Sequence, residues 1–317
     1  MKPLLLRLHR WTTLVFAVPL AVLIVTGLVL SMEPILQDKA SRSLKLPAGE
    51  IVALLDKHDP GGNARALSVR AYENRISIQG IGEDGSMDFD LATKVPVDDG
   101  ETTMLSDVFG DMRRLHEHFV FDLEWVVTAS TIAMVVLMLI GVFMGWPRIR
   151  NTISGWHQGV AWALLPLLIL SPVTGLMLAF RVNIGGALPP QDKAALPKLK
   201  EAVRMLGKDS SGAERDLGGL IWLRNRGGRL LARVNERGVF NVYQISRQGV
   251  VQTNKNWSRG LHEGNIAGMW TGIMVLVTSL AFVGLMVTGL TIWFRRTFLR
   301  KRNRDRSRPA AAASPAE

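Results

Sequence analysis

The chain of 317 residues contains no cysteine. That removes disulfides, thiolate-held iron–sulfur clusters, zinc ribbons and the C-x-x-C-H attachment of a c-type haem. A metal bound here must take histidine, methionine or oxygen ligands. Also missing are a G-x-G-x-x-G turn after a strand, a P-loop, and any flavin or nicotinamide fingerprint. The most informative absence is of charge. No Asp, Glu, Lys, Arg or His occurs in residues 11–32, 125–147, 158–180 or 265–294. Each stretch reaches the roughly 20 residues that a helix needs to cross the hydrocarbon core. The first is too long for the apolar region of a signal peptide and has no small-residue cleavage site in the usual place. The expected fold class is therefore a membrane α-helical protein with four transmembrane helices.

Charge is concentrated around those stretches. Lys2, Arg7 and Arg10 precede the first, and Arg148 and Arg150 lie between the second and third. After the fourth, "RRTFLRKRNRDRSR" holds eight Lys or Arg against one Asp. The positive-inside rule makes all three segments cytoplasmic, so much of the net charge of +11 is a topology signal. The tail reads as a contact with anionic lipid headgroups rather than with nucleic acid. Residues 33–124 and 181–264 then lie outside the cytoplasm, which suits a bacterial inner membrane with both termini cytoplasmic.

The organisation repeats. Leu-His-Glu occurs at 115–117 and 261–263, and Val-Thr-Gly-Leu follows a histidine at the same distance twice, His9 to Gly27 and His157 to Gly175. Helix, external insert and helix therefore occur as two tandem units. The expected boundaries are 1–32 (N-terminus and first span), 33–122 (first insert), 123–147 (second span) and 148–155 (turn). The second unit comprises 156–180 (third span), 181–264 (second insert), 265–294 (fourth span) and 295–317 (basic tail). Each insert reads as a small α+β domain. An amphipathic helix at 47–58 or 192–207 precedes alternating strands, "ALSVRAY", "NRISIQG" and "SMDFDLA" in the first, "GRLLARVNE", "GVFNVYQIS" and "GVVQTN" in the second.

Six histidines are present. His58, in "DKHDP", reads as solvated. His9 and His157 occupy equivalent inner ends of spans, and His116 and His262 equivalent outer approaches. On a helix, His118 points about 200° away from His116 and so cannot serve the same site. Ionisable groups at membrane depth are costly and gather around a pathway or ligand. Single imidazoles on separate helices suit a flat ligand held between them, as b-type haem is. Gly27, Gly141, Gly145, Gly175, Gly284 and Gly289 allow helices or a macrocycle to come close. The thirteen methionines read as apolar filler.

The segments "LHRW…VTGLVL", "LHEHF…GWPR", "WHQGV…LSPVTGLML" and "LHEGNIAGMW…VTGLTIWFRR" resemble the signature helices of the PepSY-associated transmembrane family. The resemblance spans nearly the whole chain. It implies PepSY-like periplasmic inserts and the activity of a haem-dependent ferric-siderophore reductase. It also implies two haem b groups (iron protoporphyrin IX), one ligated by His9 and His157 on the cytoplasmic side, the other by His116 and His262 on the periplasmic side. Whether His116 or His118 supplies the outer ligand stays open. Helix rise agrees with this pairing, because His9 to Gly27 covers ~27 Å and a single haem bridges only ligands at one depth. The two layers then stand ~30 Å or more apart along the membrane normal.

Electrons would come from a membrane quinol or a cytoplasmic reductase, and the acceptor would be a ferric siderophore or another ferric chelate. The outer segments offer arginines for an anionic chelate, Arg42, Arg65, Arg70, Arg75, Arg224, Arg226, Arg229 and Arg233 among them. The alternative is a non-redox PepSY protein that binds or inhibits a periplasmic partner such as a peptidase. A metal-ion carrier is a third reading, but the acids such carriers place within the membrane are absent.

Overall fold

A computed structural model describes residues 2–82, 85–97, 104–147, 150–185, 189, 196–208 and 212–299. Arg148, residues 192–195 of the expected second amphipathic helix and the basic tail after 299 lie outside the described residues.

In the first half the helices are α1 (Lys2–Val15), α2 (Ala17–Leu30), α3 (Glu33–Ser41), α4 (Ala48–His58), α5 (Met104–His118) and α6 (Glu124–Phe143). The second half has α7 (Ile153–Ala163), α8 (Leu165–Ala179), α9 (Leu199–Leu206), α10 (Trp257–Glu263) and α11 (Met269–Phe294). Proline shapes the membrane part. A proline ring clashes with the carbonyl four residues earlier and removes a backbone donor. Pro19 accordingly lies just after the break at Phe16 that separates α1 from α2, and Pro166 just after the break at Leu164. At Leu164 the α7–α8 pair bends by 67°. The segments Ala17–Ser41, Glu124–Phe143 and Met269–Phe298 are long and apolar enough to cross a membrane, and α7–α8 adds a fourth if the bent pair is one span. Helix also continues past residue 32, the expected end of the first span, because α3 follows α2 almost directly.

The inserts form one sheet. Strands β1 (Ala66–Arg70), β2 (Arg75–Gln79), β3 (Ser86–Asp90) and β4 (Pro96–Val97) come from the first. The second supplies β5 (Leu220–Arg226), β6 (Arg229–Glu236), β7 (Val239–Ser246) and β8 (Gly249–Gln252). The order is β4-β3-β2-β1-β5-β6-β7-β8, antiparallel throughout. The two inserts meet at β1 and β5, with Ala66 opposite Arg224, Leu67 opposite Leu223 and Ser68 opposite Trp222. The sequence pattern assigns no strand to 220–226, because its last three residues are Arg-Asn-Arg and a register shift near Leu220 spoils the alternation. Pairing these strands hides two edges that separate inserts would leave open.

Register then sorts the side chains by face. Leu67, Ile76, Ile78 and Phe89 join Leu220, Leu223, Ala232 and Val234 in a single core beneath α4 and α9. His58, expected to be solvated, instead lies half-buried against Phe89, with ring centroids 4.7 Å apart. The opposite, polar face rests on the membrane helices. Asn235 donates to Ser41 Oγ at 2.8 Å and to Asp38 Oδ1 at 3.2 Å, and Gln37 donates to the Val69 carbonyl at 3.4 Å.

Leu223 is fully buried on the joining strand, so Leu223→Ala should cost about 2–5 kcal/mol. Leu280→Ala, on an exposed face of α11, should change stability by less than about 0.5 kcal/mol. Thermal unfolding of the purified protein in detergent, followed by tryptophan fluorescence, measures both.

Candidate functional site

Four short helical stretches deliver one imidazole each onto a neighbouring helix. α5 packs on α2 and α10 on α8, at the ends of the helices that face the sheet; α7 packs on α11 and α1 on α6 at the far ends. His116 and His262 therefore meet on the sheet side, their ring centroids 6.1 Å apart and their planes inclined by 42°.

The Val-Thr-Gly-Leu tetrads are the seats of these rings. A Cβ on Gly27 would lie 3.3 Å from His116 Cε1, and one on Gly175 would lie 3.1 Å from His262 Cε1. Beside each glycine, threonine fixes the ring's orientation. Thr26 Oγ1 donates to the Val22 carbonyl at 2.7 Å, so it accepts from His116 Nδ1–H at 2.9 Å. Thr174 Oγ1 likewise donates to the Leu170 carbonyl at 2.8 Å and faces His262 Nδ1 at 3.3 Å, with the Ser171 carbonyl a further acceptor at 3.1 Å. The network assigns both imidazoles the Nδ1–H tautomer and leaves Nε2 with a free lone pair, the state in which a histidine ligates a metal.

The far side repeats the arrangement for His157 but not for His9. His157 Nδ1 pairs with Thr288 Oγ1 at 2.8 Å, and a Cβ on Gly289 would stand 3.5 Å from His157 Cε1. His9 lies against α6, where the matching residues are Ile140 and Gly141. Its Nδ1 is buried without a hydrogen-bond partner, the Leu137 carbonyl being near but outside hydrogen-bond geometry. Both histidines line a cavity of ≈ 1040 Å³, just above the roughly 300–1,000 Å³ of ligand sites. Its walls include Met134, Met138, Met286 and Trp162, and Lys2, Arg7, Arg10, Arg150 and Arg296 also line it.

His118 is not part of either pair; its Nδ1 meets Glu124 Oε1 at 2.6 Å on an exposed surface. Gly141 and Gly284 face open space rather than a close neighbour. The sequence reading missed the threonines. The available signal was that each tetrad places Thr immediately before a glycine approached by an imidazole. Next to His262, Glu263 is raised in pKa by burial but lowered more by Arg233 and Arg259, and stands at about 2. Arg233 donates to it at 2.6 Å and Arg259 at 2.8 Å.

These residues fit a metal held by two imidazoles rather than a protein-only metal cage. Among the described residues no three His, Asp or Glu side chains converge. A metal–imidazole bond of about 2 Å on each side, with the nitrogen about 1 Å from its ring centre, separates two facing rings by about 6 Å. The sheet-side pair has that spacing, and the far-side cavity has room for a flat apolar ligand with anionic substituents at its basic residues.

A family model described as the PepSY-associated TM region matches residues 6–296. No curated protein matches the chain.

Replacing Glu263 by glutamine removes the negative charge that Arg233 and the half-exposed Arg259 share and turns one of its two acceptor oxygens into a donor facing an arginine. We expect a loss of about 1.5–3 kcal/mol, read as a lower denaturation midpoint of the detergent-solubilised protein.

Proposed function

Because the chain belongs to the PepSY-associated transmembrane family, we propose that its two imidazole pairs hold haem b and carry electrons across a bacterial inner membrane to ferric chelates. The basic far side is the cytoplasmic one and holds both termini; the sheet stands in the periplasm. The observation that carries the reading is the sheet-side pair. Two imidazoles face each other at 6.1 Å, each with Nδ1 turned to a threonine and Nε2 left for iron.

When bound, haem b supplies a reversible one-electron ferric/ferrous couple. The chain's own residues do the rest. His9 with His157 and His116 with His262 would hold the iron and set its ligand field. Gly27, Gly175 and Gly289 let three of the rings seat against the helices, and the apolar walls would keep water from the iron. Arg7, Arg10 and Arg296 complement anionic groups at the inner site. Chemically the demand is small. One electron converts the ferric ion of a siderophore to the ferrous state, with no bond formed or broken in the protein. A quinol donor gives two electrons and two protons, enough for two ferric ions; a cytoplasmic reductase is the other donor class. The sheet, with Arg224 stacked on Trp222 at 4.4 Å, offers a surface for an anionic chelate.

The purified protein should be coloured and show b-type Soret and α bands on dithionite reduction. His9→Ala and His262→Ala should each abolish about half of the signal, and ferric chelates should reoxidise the reduced protein in stopped flow. Colourless protein after expression with ample haem would defeat this reading and favour the non-redox alternative, a PepSY protein that binds or inhibits a peptidase.

A further inference from the structure

Three of the four imidazoles have a threonine acceptor at Nδ1, and the fourth does not. Thr26, Thr174 and Thr288 each donate backward to a carbonyl of their own helix, at 2.7, 2.8 and 2.7 Å, which commits the hydroxyl proton and leaves the oxygen as an acceptor. At the equivalent place on α6, between Leu139 and Gly141, stands Ile140. A branched hydrocarbon there can accept nothing, and His9 Nδ1 is left buried and unpaired.

An Nδ1–H···O bond gives the imidazole more anionic character and makes Nε2 a stronger donor. Donation favours the ferric state and lowers the reduction potential. Hydrogen bonds in series strengthen one another, so a threonine already bonded to its helix is a better acceptor than an isolated hydroxyl. The sheet-side pair has two such supports, plus the Ser171 carbonyl at 3.1 Å from His262. The far-side pair has one. The far-side cavity is also lined by Lys2, Arg7, Arg10, Arg150 and Arg296, whose positive charge favours the reduced state.

We infer that Ile140, set against Thr26, Thr174 and Thr288, ranks the two sites: the His9–His157 site has the higher reduction potential and the His116–His262 site is the stronger reductant. This rests on the two-haem reading above. With haem bound at both sites, this ranking would keep an electron at the His9–His157 site until a ferric chelate takes one from the His116–His262 site. The stronger reductant then faces the substrate, where iron gripped by hard oxygen ligands resists reduction. The four residues are positioning residues that act through the imidazoles and touch neither iron nor chelate.

Redox titration of the full-length, haem-loaded protein in detergent tests the ranking, with the visible spectrum as readout. Two midpoints are expected, the higher one missing from His9→Ala. Ile140→Thr should lower the higher midpoint alone, by about a tenfold change in the equilibrium, 59 mV for one electron; Ile140→Val should leave it in place. Thr26→Val or Thr174→Val should raise the lower midpoint alone, and Thr26→Ser should restore it. A second readout needs no haem. Ring ¹⁵N shifts of labelled histidines should show one tautomer at positions 116, 157 and 262 and a mixture at 9, resolved to one by Ile140→Thr. Two haems with equal or inverted midpoints, or variants without these shifts, would overturn this inference alone. Protein that takes up no haem would overturn the two-haem reading, and this inference with it.

Discussion

A ring resting on a glycine, with a threonine at its edge, is the contact on which the membrane part depends. The glycine removes the one atom that would hold the imidazole away from the helix, and the threonine decides which nitrogen faces inward. Neither residue could do this alone. A side chain at Gly175 would meet His262 at 3.1 Å, tighter than nine in ten real Cβ contacts, so the ring would have to give way. A seat without a hydroxyl leaves a buried N–H unpaired, which is expensive where water is scarce. The pairing of helices follows from these seats: α5 on α2, α10 on α8, α7 on α11.

The sheet turns these local contacts into one body. Its polar face bonds α3 through Asn235 and α10 through the Arg233–Glu263 pair, so the strands from the second insert grip a helix from each half. The β1–β5 pairing carries that grip across to the first insert. Separation of the two sheet-side histidines would therefore have to break a continuous hydrogen-bonded ladder as well as two helix contacts.

Much of this is legible in the sequence, for physical reasons that can be named. Charge-free stretches mark the membrane segments because the bilayer tolerates little else, and the repeated histidines stand out because imidazole is costly there. The strand Arg75–Gln79 shows in its sequence the alternation of polar and apolar residues that marks a strand, although both of its faces are covered in the fold. β5 escapes because its exposed end is as polar as a loop. The threonines escape for a different reason. A threonine in an apolar helix commonly bonds the carbonyl four residues back, as Thr26 does, and nothing local distinguishes one that also receives a histidine ninety positions away. His58 escapes too, because its polar neighbours in sequence are not its neighbours in space.

The bend at Leu164 has a consequence for distance. His157 and Thr174, which anchor opposite layers, would stand about 25 Å apart on a straight helix; with the 67° bend the same residues span roughly 21 Å. Tunnelling between redox centres decays exponentially with the gap, so a few ångströms separate a slow conductor from a useful one. Under the two-haem proposal Pro166 would act as a spacer, its kink drawing the two imidazole layers toward each other.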